Sequence, residues 1–442
     1  MNRRWHALLT VCCAAALCVA ATDADRTTVY QEFRLLFDAH RYGEALPVAE
    51  KLVSMTEEQY GANDRQLVNP LTNVGTLHHR LGEHAAAEQS YLRSVRILEA
   101  NGGPLDRQLL LPLQGLGVTY LALGQYQDAA LILKRAADLA RNLNGLFNPG
   151  QLAILKPLID SYVALGRNAD AEQEIRYTLR IAEMAYGKDD PHLLDPLNRL
   201  ALWYESVGRY TSARALHARA LTIVEEKIGR ENIKDVEPLR GIARTYRLEL
   251  TYGTEPSNDS ASAAIPIAES GSSELASRAP RANPQGEQAL LAAIDVLRRA
   301  NPPEAAQHGA TLADLGDWYL VTGNTVKAMA SYREAWQELE KAGSTKLLSE
   351  PRQLSYHAPP ASVARSKLSR ADAVEQHVQV RFTVTRDGKI TNVAPVSTDA
   401  SESLAKSVVN AVRRARYAPR MREGESVDAP GITLEERLLV KR

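Results

Sequence analysis

Cysteine is scarce in this chain of 442 residues, and its three cysteines all lie among the first 18 positions. Beyond them the chain has no disulfide, no thiolate metal ligand and no cysteine nucleophile. Net charge of one sign is also missing, because 53 Lys and Arg residues balance 53 Asp and Glu residues. This balance argues against nucleic-acid binding, which usually requires a strong basic excess. Aromatic residues make up only 6%, and the abundance of Leu, Ala, Glu and Arg favours helices.

Long apolar stretches are scarce too, and one lies at the N-terminus. Residues 7–21 carry no charge, follow two arginines, and place Val19 and Ala21 at the minus-three and minus-one positions of a cleavage site before Thr22. As a helix this run would be about 22 Å long, shorter than a bilayer core of about 30 Å. We therefore predict a cleavable signal peptide over residues 1–21 and no stable membrane span in the mature chain. Retention of the run as a membrane anchor is the alternative.

A regular repeat with a period of about 42 residues runs through the body of the chain. Glycines recur at this spacing, and an alanine follows each of them after five residues: Gly82, Gly124, Gly166 and Gly208, with Ala87, Ala129, Ala171 and Ala213. Mostly small residues stand seven positions before these glycines, where they allow close helix packing: Gly75, Gly117, Ile159 and Ala201. A second glycine series of the same period follows long amphipathic stretches and is typical of helix C-caps: Gly61, Gly103, Gly145, Gly187 and Gly229. Each unit is predicted to be a helix, a short turn and a longer helix.

The stretch from Pro196 to Arg214 resembles the tetratricopeptide repeat. It contains a small residue, an aromatic residue and a Gly-x-Tyr-x-x-Ala turn. The period is longer than the usual one of about 34 residues and is similar to the extended repeats of kinesin light chains. The resemblance implies a mainly α chain with a tetratricopeptide-type α-solenoid over residues 22–253. In the sixth unit Glu255 occupies the alanine position, so its second helix is predicted to be lost.

Two segments of different composition follow the array. Residues 254–284 are rich in Ser, Ala, Pro and Gly and are predicted to be a disordered linker. The repeat signature then returns, so residues 285–343 are predicted to form a further tetratricopeptide repeat unit. Residues 344–370 are again rich in Pro and Ser and are predicted to be a second linker.

The C-terminal residues 371–442 have a different pattern. Apolar alternation over 378–384 predicts a strand, and Asp387-Gly388 predicts a tight turn into a second strand over 389–396. A predicted helix begins at Ser401 and is stopped by the stretch from Arg416 to Pro419, and residues 433–441 are predicted to form a final strand. This order of strand, strand, helix and strand, with an Arg-Tyr-Ala-Pro stretch after the helix, resembles the C-terminal domain of the TonB energy transducers. The resemblance implies a small α+β TonB-like domain and a location in the periplasm. TonB itself departs from this chain in having a membrane-spanning N-terminus and a Pro-rich spacer.

Motifs that carry chemistry are missing. The sequence has no Gly-rich phosphate loop, no His-Glu-x-x-His pair and no nucleophile elbow. His78, His79 and His84 come nearest to a metal cluster, but His78 occupies the aromatic core position of its repeat. We therefore predict no enzyme, no catalytic residue, no metal and no cofactor. A regulator of a cell-wall hydrolase remains an alternative without a motif.

The inner wall of such an array is formed by the first helix of each unit, and its curvature creates a concave binding surface. Matching the sequence to the groove-facing positions predicts a set of partner-binding residues: Arg34, Asn69, Thr72, His79, Gln114, Lys156, Asp160, Asn198, Arg240, Arg244 and Arg247. The three arginines lie on one helical face, which suits an acidic segment or a C-terminal carboxylate. The alternative for each of these residues is that it is an ordinary solvated surface residue and binds no partner.

The final strand is predicted to lie at a sheet edge. The resemblance implies that this edge pairs with an extended segment of a receptor, through Leu434, Glu436, Leu438 and Val440. The charged side chains of the same strand are an alternative indication, because soluble proteins often place charge on an edge strand to prevent pairing with another chain. From residue 344 onwards 17 basic residues face 11 acidic ones. The basic cluster either complements a helix C-terminus or contacts an anionic partner: Arg413, Arg414, Arg416, Arg420 and Arg422.

The sequence thus predicts a non-catalytic periplasmic adaptor that uses the concave repeat groove and a TonB-like strand-pairing module. Its partners would be proteins or peptides of the cell envelope, an outer-membrane receptor among them. The alternative is a TonB-type energy transducer for outer-membrane transport, anchored in the inner membrane by its retained N-terminus.

Overall fold

The computed structural model describes residues 25–253, 284–359 and 373–441. The predicted signal peptide lies outside the described residues, as do nearly all of the predicted linker 254–284 and the last part of the predicted linker 344–370. The chain divides into two compact units, residues 1–188 and 189–442. Over the described ranges no helix is both long and apolar enough to span a bilayer.

The first unit is built from pairs of helices, as predicted. Its helices are α1 (25–38), α2 (Tyr42–Tyr60), α3 (Val68–Leu81), α4 (His84–Gly102), α5 (Leu110–Ala122), α6 (Tyr126–Asn144), α7 (Leu152–Ala164) and α8 (Asn168–Tyr186). Consecutive helices from α2 to α8 pack against each other, and the first helices of neighbouring repeats also touch. The small residues explain this closeness, because a Cβ on Gly117 would collide with Leu133 of α6. Gly82 adopts a left-handed φ of 82° and ends α3.

The first helices of the second to the sixth repeats begin at a side-chain cap that was not predicted from the sequence. In the first unit Asp64, Asp106 and Asn148 accept a hydrogen bond from the backbone N–H two residues later, at 2.8 to 2.9 Å. Asp190 and Asn232 repeat this geometry in the second unit. These caps recur once in each repeat from the second to the sixth and open the short 3-10 turn before the first helix of that repeat.

The second unit continues with paired helices. They are α9 (Leu194–Ser206), α10 (Tyr210–Lys227), α11 (Val236–Tyr252), α12 (Pro284–Arg299), α13 (Ala305–Val321) and α14 (Thr325–Lys341). α12 packs against both α11 and α13, so it takes the place of the second helix of the sixth repeat. The prediction that this second helix is lost was therefore wrong, and α13 with α14 forms the seventh repeat.

The C-terminal module consists of seven strands and one helix. They are β1 (Arg352–Ser355), β2 (Ala373–Val384), β3 (Ile390–Thr398), α15 (Glu402–Arg414), β4 (Arg416–Ala418), β5 (Arg420–Arg422), β6 (Glu425–Val427) and β7 (Ala429–Lys441). An antiparallel sheet of order β3-β2-β7 packs one face against α15. β1 pairs with β4, and β5 pairs with β6. The predicted order of strand, strand, helix and strand is confirmed, with four short strands added.

The first part of the predicted linker 344–370 is ordered structure, which corrects the sequence prediction. β1 pairs antiparallel with β4, and Leu348 and Leu354 are 0% and 4% exposed. Both leucines join a hydrophobic cluster with side chains of α12, α13 and α14, together with Ala418 and Met421. Removing these apolar side chains from water fixes the segment, so the module is docked on the seventh repeat.

Candidate partner-binding surfaces

In the first unit the predicted groove residues lie on or near the surface. Arg34 pairs with the Asp38 carboxylate at 3.3 Å, and Lys156 pairs with Asp160 at 3.5 Å. All four side chains are at least half exposed, so these ion pairs contribute little stability. Asn69 is exposed as well.

Two further groove residues of this unit make contacts between repeats. The Gln114 amide donates to the backbone oxygen of Ala153 at 3.4 Å. The Nδ1 atom of half-buried His79 lies 3.2 Å from the Thr119 hydroxyl. Burial, and then the neighbouring His84, lower the pKa of His79 below its usual value. His79 is therefore tied to the next repeat rather than offered alone to a partner.

A cleft of about 430 Å³ opens on the first helices of this unit. We name it the N-terminal cleft; it is lined by Arg26, Thr27, Tyr30, Leu52, Thr56, Gln66, Asn69, Pro70, Thr72, Asn73 and Leu111. It contains two of the predicted residues, Asn69 and Thr72. Amide, hydroxyl and apolar groups share its walls, which is the mixed character of a ligand-binding surface.

The second unit holds a cleft of about 400 Å³. We name it the repeat-five cleft; it is lined by Leu194, Asp195, Asn198, His217, Ala220, Ile233, Lys234, Glu237, Pro238 and Gln307. Asn198 is one of the predicted residues. Its Oδ1 atom is buried and has no hydrogen-bond partner within the described part of the chain.

The two clefts occupy equivalent positions of the repeat. Tyr30 and Asn198, Leu52 and Ala220, and Pro70 and Pro238 are each four repeat periods apart. The sequence analysis found Asn69, Thr72 and Asn198 but missed the other lining residues. Shifting the known positions by whole periods would have found several of them.

A buried polar network adjoins the repeat-five cleft. His217 is 1% exposed, and its Nε2 atom lies 2.9 Å from Glu205 Oε1. The Arg244 Nε group donates to Glu205 Oε2 at 2.6 Å. Burial alone would raise the pKa of Glu205, but the hydrogen bonds from His217 and Arg244 outweigh it and lower that pKa. Glu205 is therefore held as a carboxylate.

The three predicted groove arginines do not form a free cationic face. Arg240 donates from Nε to Asp314 at 2.7 Å, and Arg244 is bound to Glu205. Only Arg247 has no carboxylate within ion-pair distance among the residues that the structure describes. The acidic partners of Arg240 and Arg244 lie on other helices and could not be recognised from the spacing of the three arginines.

A second buried network joins the seventh repeat to the C-terminal module. Asp317 is 2% exposed, and its Oδ1 atom accepts hydrogen bonds from the Tyr332 hydroxyl and from Arg352 Nη2, both at 2.8 Å. Arg352 belongs to β1. Burial raises the pKa of Asp317 above its usual value, although the Arg352 and Arg247 cations oppose this. An ion pair inside the hydrophobic cluster thus fixes β1 on α13.

Further contacts hold the module on the repeats. Arg333 of α14 binds both carboxylate oxygens of Glu425 at 3.2 Å. The Met421 N–H donates to the backbone oxygen of Leu348 at 2.8 Å. His357 Nε2 lies 3.1 Å from the backbone oxygen of Thr251.

β7 lies at an edge of the three-stranded sheet, as predicted. Leu438 is buried against α15, and Leu434 and Glu436 of the same strand face are half-buried. Val440 is paired in register with Val374 of β2. The side chains of Leu434, Glu436 and Leu438 therefore lie on the core face of the strand, and what the outer edge presents to a partner is backbone.

The predicted basic cluster is largely exposed. Arg413 and Arg414 occupy the last turn of α15, where cations complement the helix dipole. Arg416 and Arg422 are exposed too. Arg420 is different, because it pairs with Glu350 at 2.6 Å and so connects β5 to the segment before β1.

The three histidines nearest to a metal-cluster pattern in the sequence, His78, His79 and His84, make separate contacts. His78 Nδ1 lies 2.6 Å from Glu83 Oε2, whereas the rings of His79 and His84 are 5.1 Å apart. Throughout the described ranges no group of three or more His, Cys, Asp or Glu side chains is placed to hold a metal ion.

Comparison with protein families identifies both parts of the chain. Residues 34–100 and 151–226 match one tetratricopeptide repeat model, and residues 113–146 match another. Residues 366–434 match the family described as Gram-negative bacterial TonB protein C-terminal. A comparison with curated protein sequences gives no match.

Several solved structures are similar to this chain. A Podosopora anserina putative kinesin light chain with nearly identical repeats has 19% identity and a TM-score of 0.42, covering 46% of this chain and 96% of its own. BtubC from P. vanneervenii has 14% identity and a TM-score of 0.41, with coverages of 66% and 98%. The apo form of RapI has 12% identity and a TM-score of 0.40, with coverages of 72% and 99%.

The repeat and TonB families are generally non-catalytic, and the matches indicate no catalytic family. Tetratricopeptide repeats are typical of protein-protein interaction, and the TonB family belongs to the Gram-negative cell envelope. The chain carries tetratricopeptide repeats and ends in a domain of the TonB C-terminal family.

Proposed function

We propose that this protein is a non-catalytic adaptor of the Gram-negative periplasm that binds protein partners through its repeats. The observation that carries the proposal is the pair of clefts at equivalent positions on the first helices. Each has a volume of about 400 Å³ or more, within the range that binds ligands of moderate size.

The chemistry of the clefts suits an extended peptide. In the repeat-five cleft the Asn198 amide oxygen has no partner in the described chain, so it can accept a hydrogen bond from a peptide N–H. Leu194, Ile233 and Pro238 give an apolar wall beside it. Backbone groups of a peptide would bind the amides, while its side chains would occupy the apolar wall.

The C-terminal module adds a second surface to the adaptor. β7 is 13 residues long and pairs on one side with β2, and no other described strand covers its outer side. An open edge of this length can add a partner strand through backbone hydrogen bonds. The predicted side chains of Leu434, Glu436 and Leu438 would then act indirectly, by fixing β7 in the sheet.

Site-specific photo-crosslinking in intact cells tests the proposal. A photoreactive residue at position 69 or 198 should give crosslinked partner proteins, whereas the same residue at Lys134, on the exposed side of α6, should give none. The Ile233→Glu substitution places a charge on the apolar wall and should abolish the crosslink from position 198 only. Equal crosslinking from position 134 would refute groove binding.

The edge strand and the location need separate measurements. A photoreactive residue at Arg437, exposed on β7, should crosslink to an envelope protein if the edge adds a partner strand. Mass spectrometry of the exported protein should find Thr22 at its N-terminus. If the protein is membrane-bound and keeps its intact N-terminus, the adaptor hypothesis is wrong and the anchored energy transducer is supported.

A further inference from the structure

A small pocket lies on the first helices of the sixth and seventh repeats. It is a cavity of about 20 Å³ between α11, α12 and α13, with room for one water-sized group. Three arginines of α11 line it together with Asp314 and Trp318 of α13: Arg240, Arg244 and Arg247. We name it the arginine pocket.

The arginines of this pocket differ in their hydrogen bonds. Arg240 and Arg244 each use Nε for an ion pair, with Asp314 at 2.7 Å and with Glu205 at 2.6 Å. Arg240 also reaches Glu237 at 4.0 Å. The Nη2 group of Arg244 is nevertheless buried without a partner in the described structure. A buried N–H without an acceptor costs free energy that an incoming acceptor would recover.

Arg247 adds a charge that its neighbours do not compensate directly. No carboxylate of residues 25–253, 284–359 or 373–441 lies within ion-pair distance of its guanidinium. The charge of Arg247 acts electrostatically on Asp317, but Asp317 is already bound to Arg352 and Tyr332. The pocket therefore combines one uncompensated cation with one unsatisfied buried donor.

Among chemical classes of ligand, a carboxylate fits the size and the lining of the pocket best. One carboxylate oxygen is about the size of a water molecule, and guanidinium groups bind carboxylates through charge-assisted hydrogen bonds. Trp318 and Leu290 are each 2% exposed and give the pocket an apolar wall, which strengthens such a bond by excluding water. Asp314 and Glu205 each compensate one of the three arginines, so one positive charge is left and a single carboxylate fits best.

We propose that the arginine pocket binds one carboxylate of a peptide partner, with Arg247 supplying the charge and Arg244 Nη2 the additional donor. The proposal rests on the proposed function, because the pocket lies on the same first helices as the repeat-five cleft. The carboxylate can come from a peptide C-terminus or from an Asp or Glu side chain.

Titration of the full exported chain with small probes tests the chemistry and separates the two sources. N-acetylglycine represents a C-terminus, the α-amide of N-acetylaspartate represents an acidic side chain, and N-acetylglycinamide is the neutral control. Binding is followed by the NMR signals of the Trp318 indole N–H and the Arg244 Nε–H. We expect at least one of the two carboxylates to shift both signals and the neutral amide to shift neither. Equal shifts from all three probes would overturn the proposal.

The Arg247→Gln variant tests the assigned residue. It should weaken binding of the carboxylate about tenfold or more, because a hydrogen bond between two charged groups is lost. Arg298→Gln is the matched control, since it removes an exposed arginine of α12 that pairs with Glu334 at 2.9 Å, and it should bind as the unchanged protein does. Unchanged affinity in Arg247→Gln would contradict the assignment. Crosslinks from the clefts would survive that failure, so the two proposals can fail separately.

Discussion

The second unit contains two buried polar networks, each made of a carboxylate, a side chain of the following helix and an arginine, and they differ in which part of the chain supplies the arginine. His217 and Tyr332 each stand four residues after the repeat alanine, and each binds a carboxylate on the preceding first helix, Glu205 or Asp317. In the fifth repeat the arginine that completes the network, Arg244, comes from the first helix of the next repeat. In the seventh repeat it comes from β1 of the C-terminal module.

This difference explains how the array ends. A following repeat would cover the exposed apolar face of the last helix pair, and terminal repeats need a cap in its place. Here β1 supplies both the arginine and the apolar side chain of Leu354, which is 4% exposed. The C-terminal module thus closes the array where an eighth repeat would otherwise pack.

The networks also differ in how their carboxylates are bonded. Glu205 accepts one hydrogen bond on each oxygen, and its pKa is lowered. Asp317 accepts both bonds on Oδ1, and burial raises its pKa. Asp317 is also the more deeply buried of the two, at 2% exposed against 9% for Glu205, and its burial outweighs the hydrogen bond and the cations that favour its charged form.

The largest expected effect comes from removing the arginine of the capping network. Arg352→Met should destabilise the second unit by about 3 kcal/mol or more, because Asp317 is left buried without its cation. Urea unfolding measures the loss, and limited proteolysis should show that residues 345–359 become accessible.

The control for this substitution is Arg420→Met. Arg420 pairs with Glu350 across an exposed surface, so its removal should cost no more than about 1 kcal/mol. If both variants lose the same small amount, the seventh-repeat network does not carry the cap.

The sequence revealed the repeats because their close-packing positions recur in phase. The helix-turn-helix units, the glycine ends and the order of elements in the C-terminal module all follow from local patterns. The place of α12 in the sixth repeat was not predicted, because residues 254–283, rich in Ser, Ala and Pro, separate it from α11 in the sequence. β1 was not predicted because its four residues lie in a stretch rich in Pro and Ser, which the composition assigns to a linker.

The candidate site was harder to predict than the fold. Groove positions could be read from the repeat, but whether Arg240 or Arg244 is free depends on acids 74 and 39 residues away in the chain. These arginines and acids come into contact only when the helices pack, so the contact cannot be read from the sequence. The edge position of β7 could be predicted from the order of the elements, whereas the side chains of Leu434, Glu436 and Leu438 proved to lie on its core face.

A second prediction compares close packing in the polar network with close packing in an apolar repeat. A Cβ on Gly316 would lie 2.5 Å from the ring of Tyr332, and moving that ring would also strain its bond to Asp317. Gly316→Ala should therefore cost about 2–3 kcal/mol, and Gly117→Ala, which displaces only Leu133, about 1–2 kcal/mol.

Gly43 is the matched control, because nothing lies within 4 Å of a Cβ at this position of α2. Gly43→Ala should be neutral or stabilising by up to about 1 kcal/mol. Thermal unfolding monitored by circular dichroism ranks the three variants. Equal losses in Gly316→Ala and Gly117→Ala would remove the special role of the polar network.

A third prediction uses the opposite pKa shifts of the two carboxylates. The pKa of Asp317 is raised above its usual 3.8, so its contribution to stability is largest at low pH and is lost as the pH rises through the raised value. The pKa of Glu205 is lowered below its usual 4.5, so its contribution is complete above that pH and is lost as the pH falls through the lowered value.

Urea unfolding between pH 7 and pH 3 separates these effects. The stability of the unchanged protein relative to Asp317→Asn should rise as the pH falls towards 4. Its stability relative to Glu205→Gln should stay constant down to about pH 4.5 and then decline. Two slopes of the same sign would show that the networks are electrostatically alike.

The smallest expected effect is at Arg247, which lies between the two networks without an ion pair of its own among the described residues. Arg247→Gln should change the free energy of unfolding by no more than about 0.5 kcal/mol, as for a substitution outside any buried network. Arg244→Met, one helical turn away, should cost about 3 kcal/mol, because it leaves the buried Glu205 carboxylate with only His217. Urea unfolding of both variants at pH 7 measures this contrast. A large loss in Arg247→Gln would place Arg247 inside the Asp317 network, and its guanidinium would then serve the cap rather than a partner.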